Sequence, residues 1–478
     1  MIRKKAEMSI HVKMMFFIDL MDGLGCPSEQ GCSLVRDVLN GLIFGHLGSQ
    51  YPYGFLVPNC ATLSFAPLLS DGCYWRDVAD SVIIDFYLGN GTPMTWEPEP
   101  DLAAFMARFD GLFRRSEGRK ALLHYTAGLL TDLPEKTAQG VAQVIPEADS
   151  QRLQGFLTTA KWDERALNEQ RVAWLLSELD PTPCILEIGE VGFPKRGPRS
   201  VGVARQRIGA DGKVENCQVA VAAVCAGGGT AWPLDARLYL PEDWANDNNR
   251  RTRVGIPEDV DYRTRQEIAL EMVDVVQTLG VDCVVTGDLD FVCTGDFLEG
   301  IKRRGVPYLL VIPPESQVEG GLVPRQVDRV DETLDRVPLS DYKEVTWRDE
   351  RSRERKKTLI PLRGRVVQED WRSPVGWLVG EPVSAPKREI KRYLLTNLPI
   401  DDQLGQIIDT AGSRSGLTDF INSAADELGW GDYQGRLWTG FHRHTAIVML
   451  AYSFLKWIER PQRRELPRPR TKRRRYGL

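Results

Sequence analysis

The sequence predicts an α/β protein: a mixed β-sheet core with a block of helices ahead of it and a β-rich insertion inside it. Three observations carry this reading. From Asp101 to about residue 180, apolar residues recur at helical spacing. At Cys184 the pattern changes to strand runs, and from Arg263 helices alternate with short apolar strands.

In the helical block, "DLAAFMARFDGLFRR" sets Leu102, Phe105, Phe109 and Phe113 on one stripe behind Asp101, a residue type that caps helix starts. "GRKALLHYTAGLL", "KTAQGVAQVI", "DSQRLQGFLTTA" and "DERALNEQRVAWLLSEL" continue the block. "CILEIGE", "SVGVARQRI" and "NCQVAVAAVCA" then read as three strands, with "ADGKVE" as the turn between the second and third. The helix "RTRQEIALEMVDVVQTLG" stops at Gly280, as a C-cap glycine stops one. It is followed by strand "DCVVTGD", helix "GDFLEGIKRRG" and strand "PYLLVIP". A three-strand meander followed by helix, strand, helix and strand is the order of an RNase H-like core. The Gly227-Gly228-Gly229 run lacks the lysine and the strand–turn–helix setting of a phosphate loop, and reads as a hairpin turn.

These patterns divide the chain into an N-terminal extension of unassigned role (1–98), a helical part (99–182), a first part of the core (183–319), a β-rich insertion (320–398), closing helices (399–459) and a basic tail (460–478). Hydrophobic residues at 42%, charged residues at 27% and a net charge of −5 describe an ordinary globular protein and exclude a uniformly basic coat. The charge is uneven, because residues 460–478 carry nine Lys or Arg against the single Glu465. Nine cysteines without a C-x-x-C pair point to reduced thiols and a cytoplasmic setting rather than disulfides or a zinc cluster. No apolar run is long enough to span a bilayer, and the apolar stretch of the basic N-terminus is cut by Asp19, so neither membrane insertion nor a signal peptide is expected.

"GFPKRGPRSVGVARQRIGADGKVENCQVAVAAV" and "RLYLPEDWANDNNRRTRVGIPEDV" resemble the core of bacterial insertion-sequence transposases of the DDE superfamily. The likeness continues through "VTGDLDF", "YLLVIP" and "WTGFHRHTAIVMLAYSFL" and covers about residues 100–458. It implies double-stranded DNA as a partner, self-association as a dimer, and a metal centre of three acidic residues. In-line displacement at phosphorus needs two divalent ions to clamp the attacking and leaving oxygens, and Mg2+ or Mn2+ takes hard carboxylate ligands.

The family's first Asp falls on Gly189, its second on Asp288 and its late-helix carboxylate on Thr418. On that helix face the family's Arg matches Arg414, and Ala425 stands where the family has Lys. One acidic position of three is kept. Two substitutes stay open: Glu190, although neighbours on a strand point to opposite faces, and Asp419, about 100° round the helix from Thr418. The expected protein is therefore a transposase-derived DNA binder without catalysis or a resident cofactor, a regulator or architectural factor. Three alternatives stand beside it. The first is an active transposase using Mg2+ or Mn2+ at Glu190, Asp288 and Asp419; the second is an assembly subunit whose residues 1–98 meet another protein; the third is a new active site elsewhere on the scaffold, acting on small molecules. Asp288 by itself also reads as structural.

For DNA contact the candidates are the helical part as the site-specific reader, Lys195, Arg196, Arg199 and Arg205 after the first strand, Arg414, His442 and Arg443. Arg470, Lys472, Arg473, Arg474 and Arg475 would track phosphates from the tail. His442 and His444, two apart on a helix, do not face one metal ion.

Overall fold

The computed structural model describes residues 99–178, 184–208, 213–227, 230–288, 295–320, 326–348, 352–368, 370–383, 389–413 and 416–459, all within one compact unit. The expectations placed on residues 1–98, Arg414, the Asp288 side chain, Arg470, Lys472, Arg473, Arg474 and Arg475 lie outside the described residues.

The helical block comprises α1 (Pro100–Met106), α2 (Ser116–Leu129), α3 (Ala138–Val144), α4 (Ser150–Thr158) and α5 (Glu164–Glu178). Side chains of Glu99, Thr137 and Asp149 accept the first free N–H groups of α1, α3 and α4, which is why these helices start there. Glu99 thus holds the place expected for Asp101.

The core follows as β1 (Cys184–Pro194), β2 (Ala204–Ile208), β3 (Lys213–Gly227), β4 (Thr230–Leu238), the short α6 (Glu242–Ala245) and α7 (Asn248–Val254), α8 (Arg265–Thr278), β5 (Cys283–Asp288), α9 (Gly295–Arg304) and β6 (Tyr308–Ile312). β1 pairs antiparallel with β3 and parallel with β5, and β5 pairs parallel with β6. The sequence reading made β2 the second strand of the meander, but β2 pairs with the first half of β3 and β4 with the second. The third strand of the meander is β4, hidden in the sequence by its Pro233 and by polar residues at its end. The arrangement, an antiparallel trio joined to two parallel strands through helices, is RNase H-like. α8 opens on a capping box of Thr264 and Glu267, and Gly280 beyond its end has φ +71°, the left-handed geometry the sequence anticipated there.

The β-rich segment adds β7 (Gln317–Gly320), β8 (Val327–Arg329), α10 (Val330–Asp335), β9 (Lys343–Arg348), β10 (Glu354–Gln368), β11 (Trp371–Arg372), β12 (Gly376–Pro382) and β13 (Ile390–Thr396). Rather than forming a sheet of its own it extends the core sheet, in the order β2-β3-β1-β5-β6-β13-β12-β10-β7-β8. The chain closes with α11 (Asp402–Ser413), α12 (Gly416–Asp426) and α13 (Trp438–Ile458).

One face of the sheet buries Leu186, Ile188 and Val221 against Ile268 and Met272 of α8 and Phe297 and Ile301 of α9. The opposite face buries Val191, Phe193, Ala222 and Val224 against α12, α13 and the helical block. Phe105 of α1 meets Trp174 of α5 and Phe454 and Trp457 of α13, so the block shares this core instead of standing apart. Among the described residues no helix is long and apolar enough to cross a membrane.

Candidate functional site

β1 carries the position of the first carboxylate. Its side chains alternate between the two sheet faces, and the contacts on each face are distinct. On one face Glu190 is bound by Arg265 at the start of α8, with Nη1 donating to Oε2 over 2.6 Å; the same guanidinium donates to Gln206 Oε1 and lies over the Tyr239 ring. Glu187 and Gly189 lie on the other face. A Cβ built on Gly189 would approach Leu417 Cδ2 of α12 to 2.7 Å. Glu187 is 4% exposed, and its Oε2 accepts the Leu417 backbone N–H over 2.9 Å. Leu417 is the second residue of α12, so its N–H is one of those a helix start leaves free, and a carboxylate there also suits the helix dipole.

Glu187 and Leu417 were both missed in the sequence. The signal for Glu187 was present, since a residue two positions before Gly189 shares its face.

The other positions arrange themselves around this joint. Asp288 ends β5, paired in register with Val311 of β6. α12 turns Gly416, Phe420 and Ala424 inward, while Thr418 and Asp419 are exposed. Thr418 lies about 160° round the helix from the middle of that buried face. The residue that α12 sets against Gly189 is therefore Leu417, one position off the helix phase assigned from the sequence. Glu190, expected as a substitute ligand, faces α8 and is held in an ion pair; Asp419, the other, is on the solvent side of α12. Among the described residues no three His, Cys, Asp or Glu side chains converge as a metal site would require. Gly189 and Thr418 offer no carboxylate to the metal pair that the three-carboxylate arrangement implies, and the Asp288 side chain lies outside the described residues.

After β1 the chain forms a second feature. The segment from Lys195 to Val203 is fixed through its backbone: Lys195 N–H donates to Asn216 O, Asn216 Nδ2 donates to the carbonyls of Lys195 and Gly197, and Gln218 Nε2 donates to Val201 O. Val201 N–H donates to Arg436 O, and Lys195 Nζ to Tyr433 O over 3.0 Å, which draws the segment before α13 alongside. Burial pulls the Lys195 ammonium below its usual range, against the attraction of Asp432. Lys195, expected to meet phosphate, instead holds the Tyr433 carbonyl. Arg196, Arg199 and Arg205 are exposed, and their side chains form no ion pair or hydrogen bond among the described residues.

The expectation that Arg443 contacts DNA is corrected by its burial. It is 6% exposed and donates to the carbonyls of Phe156 and Trp162, with Glu164 3.6 Å away. His442 packs against Trp438 with the rings tilted and their centroids 4.2 Å apart, and gives its Nδ1 proton to the Trp438 carbonyl. Burial lowers it to about 4, so it carries no charge for a phosphate at neutral pH. His444 is buried, giving its Nε2 proton to the Gly429 and Trp430 carbonyls and taking one from Tyr125 Oη at Nδ1.

An antiparallel trio of strands continued by two parallel strands and closed by helices defines the RNase H-like class of α/β protein. The family model of the DDE superfamily endonucleases matches residues 108–358, and the chain belongs to that family. It is also 30% identical over 220 residues to a protein of Microchaete diplosiphon described as a probable transposase for insertion sequence element IS701. That alignment covers 46% of this chain and 54% of the relative, so the chain spans about half the length of the curated relative it matches.

Proposed function

We propose that the chain is a transposase-derived protein that binds double-stranded DNA and has lost the strand-transfer reaction, acting as a regulator or architectural factor. One observation carries this reading: on the cleft face of β1, where a carboxylate would meet a metal ion, Gly189 lies under Leu417 and Glu187 is committed to the start of α12. A phosphoryl-transfer centre needs ligands free to converge on its ions. Two of the three family positions supply none, since Gly189 has no side chain and Thr418 no carboxylate. DNA binding is supported by the family, by the exposed arginines after β1 and by the composition of residues 460–478.

The test is an assay of purified full-length protein on supercoiled plasmid carrying candidate transposon ends, with Mg2+ and with Mn2+. The expected result is retention of duplex in a gel shift without nicking, linearisation or joining. Strand cleavage that disappears in Asp288→Ala would overturn the loss of catalysis and establish the active alternative.

A further inference from the structure

We propose that Arg207 and Arg436 join Arg196, Arg199 and Arg205 in one phosphate-tracking surface for duplex DNA, with Lys195 as its positioning residue. This rests on the DNA-binding reading above and adds to it the place on the core where the backbone of the duplex lies. Arg205 and Arg207 share one side of β2, about 6.6 Å apart at the usual strand rise. Successive phosphates on one DNA strand advance by about 3.4 Å along the helix axis and, because the strand also winds around that axis, lie on the order of 7 Å apart in space. Both arginines are exposed, as is Arg436, and neither Arg207 nor Arg436 has an ion pair or side-chain hydrogen bond among the described residues. The Arg436 backbone is tied to the same segment by the bond from Val201.

The surface is built rather than merely solvated. Its backbone is fixed by the bonds of Lys195, Asn216, Gln218 and Val201, and Val201 and Val203 are buried beneath it. Among the described residues the nearby acids are engaged elsewhere: Glu215 with Lys213, and Asp432 with the Lys136 backbone N–H. Guanidinium groups held on a fixed backbone and left without carboxylates suit phosphate oxygens, which take paired N–H donors. The aromatic residues of the region, Phe193, Tyr433 and Trp438, are all buried, so nothing here stacks on unpaired bases. That selects the backbone of a duplex over a single strand.

The experiment is fluorescence anisotropy of the full chain with a mixed-sequence duplex of 30 base pairs over a range of KCl concentrations. For Arg207→Ser/Arg436→Ser the slope of log K against log[KCl] should fall by about two, one for each lost phosphate contact. Arg207→Lys/Arg436→Lys should keep the wild-type slope. Arg253→Ser, which removes an exposed arginine of α7, should leave it unchanged. An unchanged slope in the double serine variant, or an equal loss in Arg253→Ser, overturns this surface while DNA binding itself stands. A wild-type protein without salt-dependent duplex binding overturns both.

Discussion

Arginine does opposite work in two regions of this molecule. In the interior, Arg171 of α5 is 0% exposed and spends its donors on the carbonyls of Pro233 and Leu234, the Asn168 side chain and Ser453 Oγ. Arg443 of α13 does the same with Phe156 and Trp162. In the segment after β1 the hydrogen bonds run through backbone and amides, and the guanidinium groups are left over. The difference teaches that a positive charge marks a binding surface only when the surrounding structure does not consume it. A cation's sequence neighbourhood does not reveal this: Arg443 sits in a motif of the family, as Arg199 does.

The contrast can be broken or sharpened by mutation. The largest effect is expected at the interior end. Arg171→Met should cost about 3–5 kcal/mol, because the Pro233 carbonyl and the Ser453 hydroxyl lose a donor in the buried site, while the Leu234 carbonyl keeps only the Asn168 amide. Urea unfolding of the full chain measures this, and a loss below 1 kcal/mol would show that the interior bonds are dispensable. Next is the joint at the cleft. Glu187→Ala strips the acceptor from the start of α12 and should cost about 1–2 kcal/mol, whereas Glu187→Gln keeps an acceptor and most of the stability. Equal losses in the two variants would argue against the capping role.

The third expectation is a slope rather than a single loss. Burial holds His444 down to about 4 from its ordinary 6.5. Between those values the unfolded chain binds a proton that the folded chain refuses. The stability is therefore fully present above pH 6.5 and falls as pH drops towards 4, by about 1.4 kcal/mol per unit for this group. Thermal melts from pH 7 to 4.5 should show a shallower decline in His444→Gln than in wild type; parallel curves would mean that His444 is protonated in the fold.

Much of the fold was legible because periodicity records burial. The stripe of Phe105 and Phe109, the strands around Ile185 and Val285 and the stop at Gly280 all lie where the sequence put them. β4 escaped because Pro233 and Asp235 break its apolar run, and the β-rich segment was read as separate because strand pairing between distant residues leaves no local trace. At the site, the absence of a side chain at Gly189 was plain from the resemblance. That Leu417, not Thr418, confronts it depends on the rotation of α12 about its axis, which tertiary packing sets. Strand alternation sets Glu190 on the face opposite Gly189, where it pairs with Arg265.

The junction of β6 with β13 carries a practical consequence. Tyr393–Thr396 lies hydrogen-bonded along Leu309–Ile312, so the inserted segment supplies the partner of a central core strand. Excising residues 320–398 to obtain a minimal core would bare that row of amides and carbonyls, and the trimmed protein would recruit a neighbouring copy to cover it. A shortened version should therefore be designed to retain β13, or it will yield polymers in place of a smaller folded unit.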